Sequence, residues 1–345
     1  MRGRNDERHV RARRSGGFTL VELMLTVTML SIVMYLTMES VNRQQKTSIV
    51  TDQVVEVQNN VRAVAALIER EARMAGFMVP DAAGACGADN TTAPDELWIS
   101  EIEMIVPDDE RAGDLGARLA SSQPWNNADG TYNMDSTTMD LDEDGVFFYD
   151  NDGNGTNEAD FRVGGGFIVA DMANPARGVG CGVVLSVNAS QLQLDLQQGQ
   201  LATFVSSSMA PQEIVIVPAA HYSINTTGGT TELLRNGDLL AKGVEDFQVS
   251  WFFDVDDDGV IDPGDERGIT AATQYDPASI IHTNDVLKEI RYSIVVRTRA
   301  TDVDFSGGAF LNFENRVAVV GNDNFRRRVI AGRVRPRNMG QTGSI

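Results

Sequence analysis

The chain has 345 residues, an ordinary apolar fraction and a formal net charge of −20. This composition excludes a disordered protein and a general nucleic-acid binder, because the latter needs a basic face. The two cysteines, Cys86 and Cys181, are too few for a cysteine-based metal site. Such an even, sparse count predicts one disulfide in an oxidising compartment, with two buried thiols or a reactive pair as the alternatives.

The first 17 residues are basic. They contain six arginines and two acidic residues, Asp6 and Glu7, so their net charge is +4. Subtracting +4 from the total of −20 leaves a net charge of −24 on the remaining residues. Residues 18–38 are 21 almost wholly apolar residues, and about 20 are needed to cross a bilayer core. The positive flank predicts a single pass through a membrane, with the N-terminus in the cytoplasm and the rest outside it.

The polar residues around this apolar run are not those of an ordinary secretory signal. Gly16 and Gly17 precede the run, whereas a secretory signal is cut after it. Glu22 lies inside the run, where a carboxylate costs about 2.5–3.5 kcal/mol on insertion scales. Such a charge needs a partner. The alternative is a plain signal anchor that happens to contain a glutamate.

Residues 13–22 read Arg-Arg-Ser-Gly-Gly-Phe-Thr-Leu-Val-Glu and resemble the cleavage motif of type IV prepilins. The resemblance implies that prepilin peptidase removes residues 1–17, cuts between Gly17 and Phe18, and methylates Phe18. It also implies that Glu22, the fifth residue of the mature chain, neutralises the terminal amine of a neighbouring subunit in a filament.

A long helix follows the leader. Apolar residues recur at spacings of three and four from 50 to 72, which predicts one continuous helix over about 18–75. Its segment 18–40 would span the membrane or form the filament core, and 41–77 would be its amphipathic half. Gly76 and Pro80 predict its end.

In residues 78–345 the apolar residues recur with a period of two, which is typical of strands. The predicted strands are 97–106, 166–171, 181–187, 191–196, 213–217, 222–224, 244–253 and 289–298. The expected fold class is therefore α+β: a long N-terminal helix packed on a mostly antiparallel β-sheet head, with Asp-rich insertions at 108–160 and 254–285. The resemblance to prepilins implies that this fold is pilin-like.

Later segments resemble PilW-type minor pilins. They are residues 58–63, 73–77, 243–249, 290–297 and 326–329. The resemblance implies a minor pilin that primes or caps a type IV pilus, together with major and minor pilins and an inner-membrane assembly platform. A minor pseudopilin of type II secretion is one alternative. An adhesin or binding module displayed at the tip, with 108–160 as its binding element, is another.

Residues 254–265 have the spacing of an EF-hand-type calcium loop. Carboxylates occur at positions 1, 3, 5, 9 and 12 and glycine at position 6, so that alternate side chains can converge on one cation. The predicted ligands are Asp254, Asp256, Asp258, the Val260 carbonyl, Asp262 and Asp265. Because a predicted strand, not a helix, precedes the loop, we expect a structural Ca²⁺ clamp. A solvated acidic loop is the alternative.

A second, tandem calcium candidate lies in the first insertion. One loop begins with Asp140, Asp142 and Asp144, and the next contains Asp150, Asp152, Asn154, Glu158 and Asp160. Both depart from the full ligand spacing, since position 12 is Asn151 in the first loop and Phe161 in the second.

Motifs of common enzymes are missing from the sequence. It contains no GxxxxGK phosphate loop, no G-x-S-x-G elbow and no H-E-x-x-H, so we expect a protein that is not an enzyme. The closing arginines, from Arg326 to Arg337, could bind an acidic partner. Their alternation with Val329 and Val334 favours an edge strand that carries solubilising charges.

Overall fold

The computed structural model describes the helix, most strands and the chain around them. The described residues are 17–77, 79, 83–88, 90, 92–100, 117–118, 131–133, 148–149, 158–159, 161–171, 179–188, 191–196, 214–226, 231–254, 260, 286–302, 304–307, 316 and 323–339. By its contacts the chain divides into two compact units, Met1–Asp52 and Gln53–Ile345.

Helix α1 spans Leu20–Met74. Thr19 caps its start, since the Thr19 hydroxyl accepts a hydrogen bond from the Glu22 backbone N–H at 3.2 Å. Gly76 follows its end with a φ of 79°, a conformation that glycine adopts at little cost and that commonly terminates helices. The predicted helix, its bounds to within two residues and its glycine stop are confirmed.

The N-terminal part of α1 is long and apolar enough to cross a membrane. Its apolar side chains are exposed, from Leu20 at 77% to Met38 at 64%. Its hydroxyls are hydrogen-bonded within the helix: Thr28, for example, donates to Met24 O at 3.0 Å, and Ser31 donates to Val27 O at 2.7 Å. Hydrogen bonds of this kind let a helix carry Ser and Thr in hydrocarbon.

Fifteen strands follow α1 in the described part of the chain. They are β1 (Ala85–Ala88), β2 (Glu96–Ser100), β3 (Ala117–Arg118), β4 (Thr131–Asn133), β5 (Phe148–Tyr149), β6 (Glu158–Ala159), β7 (Gly166–Asp171), β8 (Val179–Asn188), β9 (Gln191–Leu196), β10 (Ile214–Asn225), β11 (Glu232–Arg235), β12 (Asp238–Lys242), β13 (Val244–Asp254), β14 (Val286–Arg297) and β15 (Arg327–Val334).

These strands form antiparallel sheets. The first has the order β1-β2-β10-β7-β8-β9-β4, with β3 and the β11–β12 hairpin also attached to β10. The second is β13-β14-β15, and β5 pairs with β6. In the described residues β15 ends the second sheet, as the alternation of its arginines and valines predicted.

Residues 61–72 of α1 pack against both larger sheets. Its buried residues continue the predicted stripe from Val61 through Val64 and Ile68 to Ala72. They belong to one core with Leu97, Tyr222, Phe247, Trp251, Tyr292 and Ile294. The α+β fold with a long helix on antiparallel sheets is therefore confirmed.

Candidate assembly and processing site

The predicted cleavage bond lies outside the helix. Gly17 and Phe18 precede the first helical residue, and Phe18 is 79% exposed. A side chain added at Gly17 would meet nothing within 4 Å. A protease needs a peptide bond that is free of regular structure, so the bond between Gly17 and Phe18 is accessible for cleavage.

Glu22 occupies the third position of α1. Thr19 and Glu22 have the spacing of a capping box, and the Thr19 carbonyl accepts the first helical hydrogen bond, from Leu23 N at 3.1 Å. Carboxylates in the first turn are stabilised by the positive end of the helix dipole. Among the described residues, none forms an ion pair with Glu22.

Glu71 connects α1 to the first sheet. Its carboxylate accepts a hydrogen bond from the Tyr222 hydroxyl of β10 and pairs with Arg235 of β11, with Arg235 Nη2 2.9 Å from Glu71 Oε1. Burial raises the pKa of the Tyr222 hydroxyl, and the charge of Glu71 raises it further. Tyr222 therefore stays a hydrogen-bond donor over a wide pH range.

Glu69 makes the corresponding connection to the second sheet. The Tyr292 hydroxyl of β14 donates to Glu69 Oε1 at 3.0 Å, and Arg73 pairs with the same carboxylate at 3.1 Å. Burial raises the pKa of Tyr292, and the hydrogen bond to Glu69 adds to this shift. Gly332 of β15 lies beside the Tyr292 ring, where a Cβ would come 2.3 Å from the hydroxyl oxygen.

The segment after β15 holds the end of α1. Arg337 N donates to Arg73 O at 3.0 Å, and Asn338 Nδ2 donates to Met74 O at 3.3 Å. These bonds satisfy carbonyls that the last helical turn leaves without partners. Met339 is 9% exposed and packs against Gly76.

Asp95 connects the two sheets. It is 1% exposed, and its Oδ2 accepts a hydrogen bond from Val249 N of β13 at 2.8 Å. Its Oδ1 accepts from Asn90 N at 2.8 Å, and its own N–H donates to Phe247 O at 2.8 Å. Sequence reasoning did not single out Asp95, because its neighbours form no motif; the only local signal is an aspartate directly before a strand.

The predicted disulfide is present. Cys86 of β1 and Cys181 of β8 are bonded, with their Cα atoms 6.2 Å apart. Both residues are fully buried. Beside them, the Trp98 ring stacks on His221 with centroids 4.4 Å apart, and Trp98 Nε1 donates to Gly182 O at 2.9 Å.

The predicted calcium ligands fall almost wholly outside the described residues. Asp254 ends β13, where it pairs in register with Val286 of β14, and Val260 is 54% exposed. The residues before Asp254 form the strand that was predicted there. For the tandem candidate the structure describes only the backbone of β5 and β6, with Tyr149 opposite Glu158. Within the described parts of the chain, no three His, Cys, Asp or Glu residues are arranged to hold a metal.

Several of the closing arginines form ion pairs inside the head. Arg327 pairs with Glu245 at 2.6 Å and with Asp323, and Arg326 pairs with Asp302 at 2.7 Å. The hydrogen bond from Arg327 lowers the pKa of Asp323 to about 2. Arg335 lies 3.3 Å from Glu289. These ion pairs therefore engage several of the arginines that, from the sequence alone, could have bound an acidic partner.

Comparisons with known proteins find a family model and a solved structure that are similar to parts of this chain. A family model of the prokaryotic N-terminal methylation motif matches residues 12–34. A solved type IV-like pilin from Thermus thermophilus is similar at 12% identity and a TM-score of 0.21, over 52% of this chain and 89% of that chain. No curated protein matches the chain. The chain therefore carries the N-terminal methylation motif of prokaryotic prepilin-like proteins at the start of its long apolar helix.

Proposed function

We propose that this protein is a membrane-anchored, type IV pilin-like subunit that prepilin peptidase cuts between Gly17 and Phe18. The observation that carries the proposal is the position of the methylation motif. It covers residues 12–34, the exposed cleavage bond precedes α1, Glu22 lies in the first helical turn, and an exposed apolar run follows. The function is assembly into a filament rather than catalysis.

The apolar segment of α1 supports a membrane location before assembly. It would be stored in the inner membrane, with the basic leader in the cytoplasm. In the filament the same segment would pack against the helices of other subunits. Glu22 would pair there with a terminal amine, since two opposite charges in hydrocarbon cost far less together than apart.

Within this class we propose a minor pilin of the PilW type that primes or caps a type IV pilus. The supporting residues are the segments 58–63, 73–77, 243–249, 290–297 and 326–329, which resemble that family. Its partners would be major and minor pilins and the inner-membrane assembly platform.

We also propose that residues 254–265 bind Ca²⁺ as a structural clamp. The ligand spacing supports this proposal, as does the strand that leads into Asp254, because a loop on a sheet hairpin cannot open as helix pairs do. Terbium luminescence of the full chain in detergent should fall in the double variant Asp256→Asn/Asp258→Asn. A matched change at the exposed Asp238 and Asp304 should leave it intact; equal luminescence in all three chains would refute a site at 254–265.

Deleting the gene tests the minor-pilin role. We expect the deletion strain to lose surface pili in electron micrographs while its exoprotein secretion stays normal. The wild-type gene should restore pili, and Glu22→Ala should not.

The other outcomes point to the alternatives. Normal pili with failed secretion would make the protein a pseudopilin of type II secretion. Normal pili and normal secretion would favour a displayed binding module, and deleting 108–160 should then abolish attachment while sparing filaments.

A further inference from the structure

The second sheet has one face that is polar and yet buried. Along β13, alternate residues from Phe247 to Trp251 belong to the hydrophobic core. The residues that alternate with them, Asp246, Gln248 and Ser250, therefore lie on the opposite face of the strand. One face of an antiparallel sheet commonly meets solvent, but these three residues are only 8%, 0% and 0% exposed. Their polar atoms must find hydrogen-bond partners inside the protein.

Arg316 lies over this face beside Asp246. Its Nε is 2.6 Å from Asp246 Oδ2, and its side chain is 13% exposed. On the neighbouring strand β14, Ser293 is opposite Gln248 in the register and is also buried. The positive charge of Arg316 balances the negative charge of Asp246, so the enclosed side chains are polar without a net charge. We call Asp246, Gln248, Ser250 and Arg316 the polar row.

The amide of Gln248 fits in one orientation. Its Nε2 lies 3.0 Å from Asp246 Oδ1, 3.2 Å from Ala93 O and 3.1 Å from Phe247 O. All three atoms are acceptors, so a reversed amide would place its own oxygen against three oxygens. The other end of the amide, Gln248 Oε1, is buried and receives no hydrogen bond from any described residue.

Two further atoms of the polar row are buried without a hydrogen-bond partner. Within the part of the chain that the structure describes, Ser250 Oγ and Arg316 Nη1 neither donate to nor accept from another group. Folded proteins pair the large majority of their buried polar atoms, with protein groups or with ordered water. Three such atoms on one side of one strand therefore indicate that a small polar ligand binds there.

The chemistry of the three atoms selects the ligand. Gln248 Oε1 is an acceptor, Arg316 Nη1 is a donor and the Ser250 hydroxyl can be either. A cation would be repelled by the guanidinium of Arg316, and an anion would be repelled by the carboxylate of Asp246 and by Gln248 Oε1. Water is neutral and both donates and accepts, and a buried water molecule typically makes about three hydrogen bonds. Neighbouring side chains on one face of a strand are about 7 Å apart, a gap that water can bridge.

We infer that the polar row binds one or more ordered internal water molecules, which bond to Gln248 Oε1, Ser250 Oγ and Arg316 Nη1. This water is part of the fold, because it connects β13 to Arg316 and satisfies polar atoms that the sheet has removed from solvent. The inference does not depend on the proposed function, so either can fail without the other.

A crystal structure of the full chain in detergent, at a resolution that shows ordered water, tests the inference directly. It should contain water at hydrogen-bond distance, about 2.7–3.2 Å, from the three atoms. A polar row whose atoms meet only protein groups would overturn the inference.

The variant Ser250→Ala gives an independent readout in denaturant unfolding of the full chain. If Ser250 Oγ bonds to internal water, its removal breaks that bond and the unfolding midpoint should fall. If the hydroxyl has no partner, its removal relieves an unpaired buried group, and the midpoint should stay the same or rise. Ser223→Ala, at a half-buried position of β10, is the matched control for alanine in a strand. A midpoint for Ser250→Ala equal to or above that of the control would contradict the inference.

Discussion

At the scale of single residues, the hydroxyl of Tyr222 decides how firmly α1 is held to the first sheet. Tyr222→Phe removes its hydrogen bond to the Glu71 carboxylate. We expect a loss of about 1.5–3 kcal/mol in the free energy of unfolding, the usual contribution of a hydrogen bond to a charged group. Denaturant unfolding of the full chain in detergent measures it. Tyr35→Phe, at an exposed residue of the apolar segment, is the matched control, and equal midpoints for the two variants would contradict this account.

The Tyr222 hydroxyl should also make the stability of the folded protein depend on pH. Burial, and then Glu71, raise the pKa of Tyr222 in the folded state, while an unfolded tyrosine titrates near 10. A raised folded-state pKa stabilises the protein fully below the unfolded value, and this contribution is lost as the pH rises above it. The melting temperature should therefore fall above about pH 10 more steeply in the wild type than in Tyr222→Phe. Parallel curves would show that Tyr222 does not titrate as described.

Substitution of Asp95 should destabilise the fold strongly, although Asp95 belongs to no sequence motif. Asp95→Ala leaves the buried N–H of Val249 without its acceptor and removes the acceptor of the exposed Asn90 N–H. A buried group without a partner costs about 1–3 kcal/mol. Asp238→Ala, which breaks an exposed pair with Arg162, should cost about 0.2–1 kcal/mol. Chemical denaturation compares them, and a milder effect at Asp95 than at Asp238 would be the contrary result.

At the scale of elements, the β11–β12 hairpin depends on its turn. Asn236 and Gly237 have φ values of 53° and 82° and connect strands that pair through Arg235 and Asp238, the pattern of a type I′ turn. Gly237→Ala should cost about 1–2 kcal/mol, because an L-residue is strained in this left-handed region. Gly237→Asn should cost less, since asparagine tolerates it. Thermal unfolding ranks the two, and a reversed order would refute the turn assignment.

The elements that were predicted well have strong local periodicity. The helix and the strands at 166–171, 191–196 and 244–253 were placed within two residues. The β11–β12 hairpin was missed although its Asn-Gly pair is a standard turn signal. Its strands are short, and their burial comes from neighbours in the sheet rather than from their own alternation.

Strand β10 shows where tertiary structure overrides a local rule. The prediction had two separate strands, 213–217 and 222–224, and Pro218, which lacks the N–H of a ladder bond, lies between them. The structure has one strand, which pairs with β7 through Pro218. On its other side the partner changes from β3, opposite Ile216, to β2, opposite Ala219. Proline stands at that change of partner, which no single-strand pattern reveals.

The residues of the candidate site also differ in whether the sequence could predict them. Gly17, Phe18 and Glu22 could be predicted because the cleavage motif is contiguous in sequence. The residues that attach the helix to the head, such as Glu71 and Tyr222, could not, because they are 151 residues apart and meet only in the folded chain.

At the scale of the whole molecule, the disulfide connects β1 and β8 across 95 residues. On the loop-entropy model a closed loop of this size contributes up to about 4–5 kcal/mol, mainly by restricting the unfolded chain. Cys86→Ser/Cys181→Ser should therefore lower the melting temperature, and a reducing agent should have no further effect on that variant. An unchanged melting temperature would show that the disulfide adds nothing to stability.

The identity of the mature N-terminus tests the central claim most directly. Mass spectrometry of the chain purified from cells that contain prepilin peptidase should find that it begins at Phe18 and carries one N-terminal methyl group. Its leader, residues 1–17, should be absent. A chain that still begins at Met1, or that is cut after the apolar segment, would contradict the pilin-like account.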